Sequence, residues 1–147
     1  MKLAQAAKLL EFLNNEKVAT LAVSIDKSGT LHIATMHYAH RLQPFCFYFV
    51  TDGRSEKCRL LKTQPEIVAA CNVGTYIGTP FTLQMRGTAR ILDMAKSEDM
   101  LKLYFEKRQS KNKNVEGLHS LLVEFAPNWA RFTDYAKGWD TTILELA

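Results

Sequence analysis

The chain has 147 residues, 47% of them hydrophobic, which suits one globular domain over residues 1–147 and leaves no room for a second core. Its 19 basic and 15 acidic residues leave a formal charge of +4, spread along the sequence rather than gathered into the stripe expected of a nucleic-acid binder; an anionic ligand is permitted but not named. Cys46, Cys58 and Cys71 follow no metal or disulfide spacing, and no stretch approaches the ~20 apolar residues that span a bilayer, so the expectation is a cytoplasmic protein without nucleic-acid or membrane partners.

In chain order, Leu3, Ala6, Ala7, Leu10 and Leu13 recur at helical spacing before Asn14-Asn15, predicting an amphipathic helix over residues 2–16 that lids a sheet. Lys8 and Glu11 break any apolar run of signal-peptide type. VATLAVSI alternates Ala19, Leu21, Val23 and Ile25 against Val18, Thr20, Ala22 and Ser24, and DKSG turns it into LHIATMHYAH, a hairpin. RLQP turns again into FCFYFV, whose aromatic and β-branched content predicts a strand buried on both faces.

TDGRSEKCRLL follows, and a short helix is expected from about Ser55 to Thr63, ending before Pro65. Arg54 and Lys57 then crowd a helix N-terminus, where each misplaced cation costs about 0.3–1 kcal/mol. Either Glu56 satisfies the dipole while both cations reach into water, or an anion such as a phosphate is held by Ser55, Arg54, Lys57 and the first amides. Cys58 shares a face with Leu61 and is expected to pack inward.

IVAACNV is another strand. Residues 81–92 place Phe81, Leu83, Met85, Ala89 and Ile91 on one face and Thr82, Gln84, Arg86, Thr88 and Arg90 on the other, with Gly87 marking a bulge or a close backbone approach. Ser97-Glu98-Asp99 opens a dipole-favoured helix carrying Met100, Leu103 and Tyr104 inward, KRQSKNKN reads as a polar loop, HSLLVEF as a strand, and Trp129 to Leu146 as one or two short strands. The sum is an α+β fold of about six or seven strands, an antiparallel barrel or strongly curled sheet with flanking helices. His32, His37 and His40 leave no convergent pair for a metal except His32 with His40, a long way apart along a strand, so no metal site is expected.

FYFVTDGRSEKCRLLKTQPEIVAAC, a strand ending in Thr, then Ser-x-Lys opening a helix, then a Pro before the next strand, resembles the hallmark of the pyridoxamine-phosphate-oxidase-like, FMN-binding split-barrel flavoproteins. The leading helix, the VATLAVSI strand and the long strand with QMRG extend the likeness over roughly residues 5 to 135. The resemblance implies FMN as cofactor, its phosphate on Ser55 and Lys57 with Arg54 as helper. It further implies Val50 and Thr51 beside the ribityl chain or ring edge, Thr35, Met36 and His37 along the isoalloxazine ring, and Gln84 donating to ring or ribityl oxygens. It implies a homodimer with flavin sites across the shared interface, and an oxidoreductase moving electrons from a reduced nicotinamide or similar donor to a small acceptor. The alternative function is a non-catalytic flavin or haem binder in stress response or cofactor handling. Trp129 and Trp139 either stack on the flavin or pack the interface. The oxidase itself differs: it has a basic residue where Glu56 stands, an Arg and a Lys on the strand matching HIATMHYAH, and a C-terminal Arg-x-His motif with no match here. The likeness is therefore to the uncharacterised bacterial branch that ends in Phe-Thr-Asp followed by Gly, here Phe132, Thr133 and Asp134.

Overall fold

The computed structural model describes residues 3–75, 77–108 and 119–146. Eight antiparallel strands form one curled sheet with two helices, an α+β split-barrel architecture. The strands are β1 (Val18–Ser24), β2 (Leu31–His37), β3 (Ala39–Leu42), β4 (Phe45–Asp52), β5 (Ile67–Val73), β6 (Phe81–Leu92), β7 (Ser120–Asp134) and β8 (Asp140–Ile143), and the helices are α1 (Leu3–Asn15) and α2 (Glu98–Arg108). Their order is β2-β1-β5-β6-β7-β4-β3, with β8 added to the far half of β7 beyond the stretch paired with β4. β2 also approaches β4, so the sheet curls back on itself.

The alternations read from β1, β5 and β6 set the interior: Ala19, Leu21 and Val23, then Ile67, Ala69, Cys71 and Val73, then Leu83, Met85 and Ala89, are buried. α1 lids this core through Leu9, Phe12 and Leu13, whereas Ala7 and Leu10, expected inward, are exposed. Leu9, Phe12 and Leu13 stand at i, i+3 and i+4 and remove more apolar area from water than the alanine-rich stripe. Phe12 packs its ring against Phe81 and Phe132.

β4 is buried on both faces because it separates two cores. Phe47 and Phe49 enter the barrel, while Cys46, Tyr48 and Val50 pack with Tyr104 of α2 and Leu122.

Four expectations change. LHIATMHYAH is two strands, broken at buried Tyr38, whose hydroxyl donates to the Leu13 carbonyl at 2.7 Å and holds the chain to the end of α1. The Lys107 ammonium of α2 donates to that same carbonyl at 2.6 Å and sits over the Tyr38 ring. HSLLVEF and the start of the expected tail strands are one 15-residue strand, β7, followed by β8, which raises the strand count to eight. The helix expected over 55–63 is a single 3-10 turn, Glu56–Cys58. Beyond it Lys62 N bonds Cys58 O and Thr63 N bonds Leu60 O, mixed spacings that never settle into an α-helix, while the Thr63 hydroxyl also takes the Leu60 carbonyl. Most of KRQSKNKN, residues 109–114, lies outside the described residues.

Gly87 is both bulge and close approach. The β6–β7 register shifts between Arg86 and Gly87, and a Cβ on Gly87 would stand 2.1 Å from the Ala126 carbonyl oxygen.

Candidate functional site

β4 leaves the sheet through Val50 and Thr51, 6% and 7% exposed, so Val50 and Thr51 form a wall and offer little side-chain surface. Asp52 then organises the turn. Its carboxylate accepts from the Arg54 amide at 2.9 Å and from the Arg54 guanidinium at 3.0 and 2.7 Å, and its carbonyl accepts from the Ser55 amide at 3.1 Å and the Ser55 hydroxyl at 2.7 Å. The Arg54 donors hold the Asp52 carboxyl well below the usual carboxylate range. Gly53 lies against β7, its amide on the His119 carbonyl at 2.7 Å.

The cost inferred for Arg54 is therefore met inside the turn, and one 3-10 turn carries little of the dipole on which that inference rested. Arg59 likewise pairs with Glu56. Lys57 differs: its ammonium lies 3.3 Å from the Ser55 hydroxyl, and no carboxylate is within ion-pair distance among the described residues. The Glu56 and Lys57 amides open the turn and have no acceptor inside it. Cys58 is buried beneath, its sulfur 3.7 Å from the Ser55 hydroxyl, and Leu61 is buried with it.

β2 runs beside this turn as the free edge of the sheet. Thr35 and His37 are exposed on it, and Met36 packs against the core. Ser55, Lys57 and the β2 residues thus belong to one neighbourhood. Gln84 does not. Thr35 pairs with Thr20, Thr20 with Asn72 and Asn72 with Gln84, so Gln84 lies three strand spacings from Thr35, about 14 Å along the sheet.

Gln84 belongs instead to a cluster on the outer face. Its side-chain carbonyl accepts from the Arg131 guanidinium of β7. The Arg131 and Arg86 guanidinium carbons lie 5.8 and 4.2 Å from the centre of the Trp129 ring. A cleft of about 420 Å³ opens beside them, lined by Ala22, Ile33, Ala70, Met85 and Trp129. Trp139 stands apart, exposed and edge-on to Tyr135. Sequence reading singled out Trp129 but not its partners. The signal for Arg86 was its place on the polar face of β6, while Arg131 depends on a cross-strand register that spacing alone does not give.

No family model matches this chain, and no curated protein matches it in sequence. Solved structures do match in fold. A Clostridium acetobutylicum protein described as related to general stress protein 26 of B. subtilis, of the pyridoxinephosphate oxidase family, aligns over 99% of this chain and 97% of its own at 13% identity and a TM-score of 0.69. General stress protein 26 of Bacillus anthracis aligns over 98% and 100% at 17% identity and a TM-score of 0.68. A haem binding protein from Mycobacterium smegmatis aligns over 98% of this chain and 59% of its own at 11% identity and a TM-score of 0.73. The fold of this chain is that of the pyridoxamine-phosphate-oxidase-like split barrels. Among the described residues no helix is long and apolar enough to cross a membrane.

Proposed function

We propose that the chain binds FMN at a homodimer interface and acts as an oxidoreductase, passing electrons from a reduced nicotinamide or similar donor to a small acceptor. The observation that carries this reading is Lys57: a cation without a carboxylate partner among the described residues, 3.3 Å from the Ser55 hydroxyl, just after β4 in a split barrel. Ser55, Lys57 and the open amides of the turn are the donor set that a phosphate monoester takes. Arg54 is a weaker helper, since reaching a phosphate means leaving Asp52.

The free edge of β2 around Thr35, Met36 and His37 offers unpaired backbone groups to a planar ring, and Val50 and Thr51 close the floor. The Gln84 amide nitrogen remains available to a ring carbonyl, but only a second copy would bring it to the β2 edge of the first. Exposed Leu31, Ile33 and Val68, at 72%, 67% and 75%, give the outer face the apolar surface on which such a copy would rest. A flavin held there supplies hydride and electron transfer. The chain's part is to neutralise the phosphate with Lys57, fix it with Ser55, and hold the ring against β2.

Fluorescence quenching on adding FMN tests the assignment. Ser55→Ala with Lys57→Ala should abolish tight binding in a folded protein; unchanged affinity would refute it. The likeness to the haem binding protein of M. smegmatis supports a second reading, a non-catalytic flavin or haem binder. Bleaching of bound flavin by NADH or NADPH without air favours the enzyme, and a flavin inert to both favours binding alone.

A further inference from the structure

β3 and α2 face each other across a cleft that the flavin reading leaves unused. Asp99, Lys102, Leu103 and Glu106 fall at i, i+3, i+4 and i+7, one stripe of α2, and line the cleft opposite His40 and Arg41 of β3. Its volume, about 530 Å³, falls in the range of roughly 300–1,000 Å³ that suits small molecules. Three of the four helix positions are charged, where a helix docked on a sheet ordinarily presents apolar side chains. α2 is fixed to the sheet by buried Tyr104 instead, so this stripe stands off β3 rather than closing on it.

The charge left over here is that of Arg41. It is half-buried on the face of β3 that carries Cys46, its cross-strand partner, and Tyr48. Burial pushes the Cys46 thiol up and the Tyr48 phenol up to about 12, so both are neutral and neither answers a guanidinium. Glu124 stands on the same face, opposite Tyr48, but Arg90 holds it at 2.8 Å. Arg41 therefore meets no carboxylate within ion-pair distance among the described residues. Asp99 likewise meets no cation among them, while Lys102 and Glu106 stand 4.0 Å apart and offset one another. His40 adds no charge, because burial and the nearby Lys107 bring its pKa down to about 4. A simple anion on Arg41 would meet Asp99 and Glu106 as like charges, and a simple cation on Asp99 would meet Arg41 and Lys102. A molecule that carries both signs satisfies both groups.

We propose that the cleft between α2 and β3 is a binding site for a small zwitterion of the amino-acid type, its carboxylate on Arg41, its ammonium on Asp99 and its carbon chain against Leu42 and Leu103. The site shares no residue with the Ser55–Lys57 turn, the β2 edge or the outer-face cleft beside Trp129. It goes beyond the flavin reading and stands whether or not a flavin binds.

The test uses the full isotope-labelled chain, titrated with glycine, 4-aminobutyrate and 6-aminohexanoate and with singly charged butyrate and butylamine, and followed by amide NMR shifts. The three zwitterions differ in the span between their charges. At least one of them is expected to shift residues 40–43 and 99–106 saturably at millimolar concentration, at least tenfold more tightly than butyrate or butylamine. Asp99→Asn, at an exposed position, should bring that zwitterion down to the affinity of butyrate, and Arg41→Gln to that of butylamine, with the far-ultraviolet circular dichroism unchanged. Butyrate binding as tightly as the best zwitterion, or a zwitterion indifferent to Asp99→Asn, overturns the proposal in favour of a simple anion site. No saturable shift in the cleft with any of the three zwitterions overturns it outright.

Discussion

The Thr51–Leu61 turn and the Trp129 cluster both gather positive charge, but they dispose of it in opposite ways. In the turn, Asp52 accepts from both the amide and the guanidinium of Arg54 and Glu56 takes Arg59, so four of its five charged residues cancel locally and, among the described residues, Lys57 alone is left without a carboxylate. On the outer face Arg86 and Arg131 have a ring and a neutral amide but, among the described residues, no acid. Charge left over after neighbours are counted, rather than charge itself, is what points to a ligand, and a pair two residues apart can cancel what a helix-end argument takes for an anomaly.

The comparison breaks or sharpens under four variants. Ser55→Ala with Lys57→Ala removes two donors to a phosphate, the charge-assisted one worth about 1.5–3 kcal/mol, so FMN affinity should fall on the order of 100-fold or more by fluorescence titration. Gly87→Ala drives a Cβ into the Ala126 carbonyl and should lower stability by about 1–3 kcal/mol, read as a lower Tm, while disturbing the Arg86–Trp129 pair. Arg54→Ala should change FMN affinity by no more than about threefold, because its guanidinium is exposed and already committed to Asp52. A loss equal to that of Lys57→Ala would mean that the ion pair opens to the ligand.

The smallest effect concerns Asp52→Asn. Asp52 titrates below its ordinary value of 3.8 in the folded chain, so its contribution to stability is present above that value and is lost as pH falls toward the depressed one. Thermal melts from about pH 5 to pH 2 should therefore show a slightly steeper acid decline in the parent than in Asp52→Asn. Identical slopes would mean that the Asp52–Arg54 pair contributes nothing in solution.

Much of this was legible in the sequence where one strand carries its own pattern. The period-two alternation of β1, β5 and β6 gave the interior face, and Gly87 gave the bulge. α1 was legible as a helix but not in its rotation, because the Ala6–Ala7 stripe competes with Phe12, whose burial is worth more. The break at Tyr38 was hidden because its cause, the Leu13 carbonyl, lies 25 residues away. Ser55 and Lys57 could be named from local spacing, and Asp52 was there to be read as the partner of Arg54. The Arg86–Trp129–Arg131 group could not, since β6 and β7 are brought together across a register that slips at the bulge.

The most direct measurement is a pair of titrations of the purified protein, with FMN and with riboflavin, followed by flavin fluorescence. The two ligands share a ring and a ribityl chain and differ in the phosphate. FMN binding at least 100-fold more tightly than riboflavin is the expected result, and that preference should vanish in the Ser55→Ala, Lys57→Ala chain. Equal affinities, or no binding of either, would contradict the claim that Lys57 and Ser55 wait for a phosphate.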